Sequence, residues 1–152
     1  MPGTVEHLTN PQDPALQILL RYWRGKRGER MAPSRADIQP GELVSMLPYL
    51  ALYDVVDGDF HVRLFGTELA RAYGDDLTGK LMSECDFDGS RRQLLEQLAE
   101  VVRERRPNVL RAKFAKDTDG RYLEYERIAL PLSANGETVN MILCGYHVER
   151  AF

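Results

Sequence analysis

The chain carries 152 residues, with 20 Lys and Arg against 23 Asp and Glu for a net charge of −3, and 43% hydrophobic side chains. That length suits one domain with its own core, and the slightly acidic balance argues against a general binder of nucleic acid or anionic membranes. The two cysteines, Cys85 and Cys144, show no CxxC spacing, which argues against a disulfide framework or a zinc site and fits reduced thiols in a cytoplasmic protein.

The opening MPGTVEHLTNPQD has neither the basic nor the apolar region of an export signal, and no run approaches the ~18 apolar residues of a membrane span. Residues 1–12 are polar with two prolines and are expected to be a flexible lead-in. Asp13 then offers a cap and Pro14 a first helical residue. Leu16, Leu19, Leu20 and Trp23 follow at helical spacing, with Ala15, Ile18 and Tyr22 as a second apolar stripe. An arc that wide has two readings: Leu16, Leu19, Leu20 and Trp23 belong to a dimer interface, or both stripes are buried in one chain. Arg21, Arg24, Lys26, Arg27 and Arg30 gather where a helix C-terminus favours cations, and Gly25 and Gly28 are natural stops. An anion or nucleic-acid patch over 21–35 is the sharper alternative. IQPGELVSMLPYL predicts a short helical turn bracketed by Pro40 and Pro48.

From residue 49 the period changes. YLALYDVV, Asp57-Gly58 and DFHVRLFG predict two strands joined by a two-residue turn. Thr67 to Tyr73 is a short helix, and Gly74 to Phe87 is loop with one turn. Ser90-Arg91-Arg92-Gln93 has capping-box form and opens an amphipathic helix with Leu94, Leu95, Leu98, Val101 and Val102 on one face, stopped by Pro107. Strands over 109–116, 121–132 and 138–148 complete the chain, with Asp119-Gly120 and Asn135-Gly136 as hairpin turns. Strands in antiparallel succession with helices grouped on one side make an α+β arrangement. The organisation expected is a lead-in (1–12), a helix with its connecting segment (13–48) and a sheet domain (49–152).

This order resembles a PAS domain, a five-stranded antiparallel sheet with helices covering one face, here with an added N-terminal helix. FHVRLFGTELARAYG fits the second strand and first short helix, DDLTGKLMSECDF the covering loop, and DTDGRYLEYERIALPL with SANGETVNMILCGYHV the last three strands. RYWRGKRG, SRADI before PGELVSMLP, RLFGTEL and GDDLTGK together resemble a short, single-domain bacterial PAS subgroup of alphaproteobacterial type. The resemblance implies a non-catalytic sensory or regulatory module. Such modules hold small ligands between sheet and helices, form homodimers through an N-terminal helix, and signal by contact with another protein such as a histidine kinase. A small-ligand carrier or an enzyme on a PAS-related fold is the rival reading.

GDDLTGK has the GxxxxGK spacing of a phosphate loop, but Leu81 stands where magnesium needs a hydroxyl, Asp75 and Asp76 would repel phosphate, and TELARAY before it is helical. Cys85 and Phe87 echo the NCRF-like phrase of flavin-binding PAS photosensors without its asparagine or arginine, which disfavours covalent flavin. His7 lies in the lead-in and His61 and His147 on strands, which disfavours haem, and no metal-ligand spacing occurs. No GxSxG elbow surrounds a serine. Strand alternation groups Phe60, Val62 and Leu64 on one face and His61, Arg63 and Phe65 on the other. On that pattern Arg63, Tyr73, Tyr125 and Arg127 make a candidate pocket for an unidentified small molecule. Arg63 would be paired by Asp54 or by an anionic ligand.

Overall fold

The computed structural model describes residues 3–85, 91–115 and 122–151. The elements in order are β1 (Thr4–Leu8), α1 (Pro14–Arg27), β2 (Leu50–Val56), β3 (Asp59–Phe65), α2 (Thr67–Tyr73), α3 (Arg91–Glu104), β4 (Asn108–Ala115), β5 (Tyr122–Leu132) and β6 (Met141–Ala151). Single 3-10 turns lie at Arg35–Asp37, Pro40–Glu42, Leu47–Tyr49 and Met82–Glu84. The Asp13 carboxylate accepts the Leu16 N–H at 3.2 Å and caps α1. At the other end Gly28, with φ of 59°, leaves the helix, and its N–H returns to the Arg24 carbonyl. Asp57 and Gly58 both have positive φ, the geometry of a primed two-residue hairpin turn.

The strands form one antiparallel sheet in the order β1-β4-β5-β6-β2-β3. Alternation along each strand divides its side chains between two cores. On the outer face Leu16, Leu19, Leu20 and Trp23 of α1 pack against Leu50, Leu52, Ile128, Leu130, Leu132 and Leu143. The Trp23 indole N–H reaches the Pro131 carbonyl at 2.8 Å, which satisfies its polar atom inside this core. On the inner face α2, α3 and the 77–85 segment cover Tyr53, Phe60, Val62, Ala129, Ile142 and Cys144.

Four expectations need correction. The sheet has six strands, because Thr4–Leu8 pairs along β4 instead of trailing as a flexible lead-in. A five-residue edge strand leaves most of its side chains in solvent, so its polarity hid it. Helices cover both faces, and the four α1 residues expected at a dimer interface, Leu16, Leu19, Leu20 and Trp23, are buried in the chain's own core. The alternation inferred for β3 also fails midway. Leu52 opposes Leu64 but Tyr53 opposes Val62, so Arg63 is the extra residue of a β-bulge. Phe60 and Val62 face inward before the bulge, and Phe65 faces inward after it, while Leu64 is turned outward and exposed. Finally, β6 begins at Met141, and residues 133–140 form a longer loop. In it Asn135 Oδ1 accepts the N–H groups of Glu137 and Thr138. The Asp119-Gly120 turn, Phe87 and Ser90 of the predicted capping box lie outside the described residues.

Candidate functional site

Inward-facing residues of β2, β3, β5 and β6 do not quite meet the helices above them. The gap is a cavity of about 70 Å³. Its sheet side is built by Tyr53, Phe65, Tyr125 and Tyr146, and its helix and loop side by Leu69 and Tyr73 of α2, Leu77 and Met82. Gly74 ends α2 in the left-handed region, at φ of 104°, and turns the chain into the loop that carries Leu77. That loop is pinned from within and without. Asp76 Oδ1 accepts both the hydroxyl and the N–H of Thr78, and Lys80 pairs with Asp75 at 2.8 Å. The Gly79 N–H donates to the Val62 carbonyl, and the Val62 N–H to Lys80, which ties the loop to the free edge of β3. GDDLTGK is therefore a covering loop that presents Leu77 to the cavity.

The polar groups of the wall are phenols. The Tyr53 and Tyr146 hydroxyls are 3.1 Å apart in a hydrogen bond, and the Tyr125 and Tyr146 rings meet edge to face at 5.3 Å. Burial pushes all three hydroxyls well above the ordinary phenol range, with the positive charge of Arg127 acting in the opposite direction. Burial likewise raises the Cys144 thiol, on the same face of β6, to about 11. At neutral pH these groups are uncharged, and the nearby formal charge belongs to Arg127.

The structure brings together only part of the set inferred from sequence. Tyr73 and Tyr125 line the cavity. Arg127 shares the face of Tyr125 and sits opposite Tyr146 in the β5–β6 register, buried behind the wall rather than in it. Arg63 is elsewhere: the bulge places it in solvent, where its Nε donates to Asp54 Oδ2 at 3.0 Å beside His61. Asp54 thus supplies the pairing, and Arg63 does not reach the cavity. Sequence reasoning missed Tyr53 and Tyr146. The alternations Ala51, Tyr53, Val55 on β2 and Ile142, Cys144, Tyr146, Val148 on β6 carried that signal, but each reads equally well as plain core.

Comparison with known proteins decides the family. A family model described as PAS domain matches residues 12–146. The chain belongs to the PAS family. The match takes in α1 as well as the sheet and its covering helices. Among solved structures, the PAS fold here is similar to the "Structure of an RNA-binding Light-Oxygen-Voltage Receptor", at a TM-score of 0.55 and 13% identity over 97% of this chain. The chain spans 38% of that receptor's length. No curated protein matches.

PAS relatives that carry flavin or haem prompt a test of fit. A cavity of about 70 Å³ lies far below the ~300–1,000 Å³ of sites for cofactor-sized ligands. Among the described residues that line it there is no cysteine, histidine or side-chain amide. The Cys85 thiol points away to the Leu81 carbonyl at 3.4 Å, and burial raises its pKa, the reverse of an activated thiol. The residues present do not fit either group. Among the described residues, no cluster of His, Cys, Asp and Glu could hold a metal ion, and no helix is long and apolar enough to cross a membrane.

Proposed function

We propose that this PAS domain is a non-catalytic sensory and regulatory module. It takes a compact small molecule into the tyrosine-walled cavity and passes the change on by protein–protein contact. The observation that carries this reading is the cavity itself. It joins four phenol rings to apolar side chains of α2 and the 74–82 loop, so a guest touches the fixed sheet and a loop-held cover at once. The lining is almost wholly apolar, so such a guest is held chiefly by contact with the aromatic rings and aliphatic side chains. Native mass spectrometry of the purified protein, and thermal shift against a small-molecule set, test it with Leu69→Phe as the filled-cavity control. Ligands that raise the Tm of the wild type but not of the variant support the reading. A wild type that nothing stabilises selectively overturns it.

The output is a contact with a separate signalling protein, for which a histidine kinase is the type that PAS membership suggests, in the cytoplasm. A homodimer through α1 can use only its outer stripe, where Ile18 is 47% exposed close to Tyr49 at 40%. Ile18→Asp should then give a folded monomer in solution scattering, and a dimer that survives this change removes α1 from the interface. The similar receptor is described as RNA-binding, but the basic segment here is largely engaged within the chain. Lys26 pairs with Glu42, Arg30 with Asp37, and Arg27 lies over the Trp23 ring. That engagement favours the reading of 21–35 as a structural helix end.

A further inference from the structure

The cavity is bounded by Leu69 and Ala72 of α2, Leu77 and Met82 of the loop, Leu94 of α3, and aromatic rings from the sheet. Its polar atoms are engaged within the protein. The Tyr53 and Tyr146 hydroxyls bond each other, Tyr146 also bonds the Cys144 thiol, and neither Tyr73 nor Tyr125 is free. Among the described residues, the buried side-chain nitrogen and oxygen atoms without a partner belong to Arg27, Gln93, Gln97 and Arg127, and none of these lines the cavity. A space of about 70 Å³ exceeds the ~10–15 Å³ that a water requires. A buried water also needs roughly two to four polar partners, and the phenols here are already taken. Apolar space of this kind stays dry, and its lining forfeits dispersion contacts while it is empty. A guest that carries a polar group must leave that group unpaired. A dry cavity of ~150 Å³ takes benzene, so one of about 70 Å³ admits a guest of about four heavy atoms.

We propose that the cavity selects a compact, uncharged, apolar guest, a dissolved gas or a short branched hydrocarbon of about four heavy atoms or fewer, and rejects isosteres that carry a polar group. This rests on the ligand-binding reading above and names the ligand class. Selection works by desolvation: the wall rewards what a guest lacks, since no group on it answers a hydroxyl, an amide or a charge. The guest fills the gap between the sheet rings and Leu77 and Met82, which restores dispersion contacts to both sides at once. The limit on binding energy per atom puts the Kd of so small a guest at about 50 μM or weaker. Occupancy then follows the ambient concentration of the guest.

The test titrates the full chain with isobutane, 2-propanol, xenon and benzene, read by the methyl NMR shifts of Leu69, Leu77 and Met82. Isobutane and 2-propanol share one branched shape and differ by a methyl against a hydroxyl. Isobutane should bind saturably and about tenfold or more tighter than 2-propanol, the margin expected when a hydroxyl is buried unpaired. Xenon should move the same methyls, and benzene should not. Leu69→Phe should abolish the isobutane and xenon shifts. Should that variant fail to fold, the isobutane-to-2-propanol ratio on the wild type decides alone. Isobutane and 2-propanol binding alike, both blocked by Leu69→Phe, would overturn the apolar inference and leave the ligand-binding reading standing. Benzene binding the wild type as tightly as isobutane would overturn the size limit. No saturable shift from any probe would overturn the inference outright. The ligand-binding reading is then decided by its own screen.

Discussion

Gly66 and Arg63 show how single positions constrain this fold. A Cβ on Gly66 would lie 2.2 Å from the Pro48 carbonyl oxygen, a backbone atom that cannot swing aside as a side chain would. Gly66→Ala should therefore fall at or above the upper end of the ~1–3 kcal/mol that overpacking usually costs. Urea denaturation checks it, and a loss below half a kcal/mol would show that the 47–49 turn yields freely. Gly66 also joins β3 to α2, so strain there falls beside Phe65 of the cavity. Arg63 carries the opposite lesson. The period-two pattern of FHVRLF is legible and correct through Val62, and the pairing of Arg63 with Asp54 was among the readings the residues allowed. The bulge that inverts the pattern is set by pairing with β2, a partner about ten residues away in sequence, and nothing in FHVRLF announces it. Arg127 was legible as a face-mate of Tyr125. Its burial was not, because the contacts around it, Asn108 on β4 and Glu100 of α3 beyond, come from elements distant in sequence.

At the scale of elements, the 74–84 cover is held chiefly by carboxylates. Hydrogen bonding by Thr78 holds the Asp76 carboxyl below the usual range, and the Lys80 contact does the same for Asp75. Burial works against the charged form of Asp59, but hydrogen bonds from the Ser83 hydroxyl and from the Phe60 and Ser83 N–H groups outweigh it, so its pKa is also lowered. Groups with depressed folded-state values stabilise above the unfolded carboxylate pKa of about 3.9 and lose that contribution as pH falls through the lower folded value. The cover should therefore loosen below about pH 4 while the central strands persist. Amide hydrogen exchange at pH 3 and pH 6, corrected for intrinsic rates, would show Leu77 to Glu84 losing protection before Ile128 and Ile142. Simultaneous loss would contradict it. Sequence made the helices and most strands visible through strong periods and turn dipeptides such as Asp57-Gly58. It hid β1, whose exposed edge carries no pattern, and it left the role of α1 open, since an apolar stripe looks the same against a sheet or a second subunit.

For the molecule as a whole, the outer core matters as much as the cavity. Residues 13–48 and the sheet share Leu16, Trp23, Ala32, Ile38 and Leu43 with Leu52, Ile128 and Leu143. A chain trimmed to 49–152 would expose that whole face of the sheet, well beyond the few hundred Å² of apolar patch that single proteins tolerate. It should aggregate or stay molten, seen as lost near-ultraviolet dichroism and dye binding. A well-dispersed NMR spectrum from 49–152 would show that the sheet domain stands alone. The intact chain should unfold in one transition by fluorescence and far-ultraviolet dichroism alike.

Glu126 ties these scales together. It is 1% exposed on the outer face of β5, where its carboxylate accepts the backbone N–H groups of Gln12 at 2.7 Å and Asp13 at 3.2 Å, the residues that lead into α1. Its neighbours Tyr125 and Arg127 point to the opposite side. Three consecutive residues thus make a lever with the sheet as its fulcrum: one arm at the cavity, the other gripping the start of a helix on the far surface. On the proposed ligand-binding reading, a guest that tilts Tyr125 would be felt at Glu126 and at the mouth of α1. Such a signal would cross the sheet within a single strand, without threading either core.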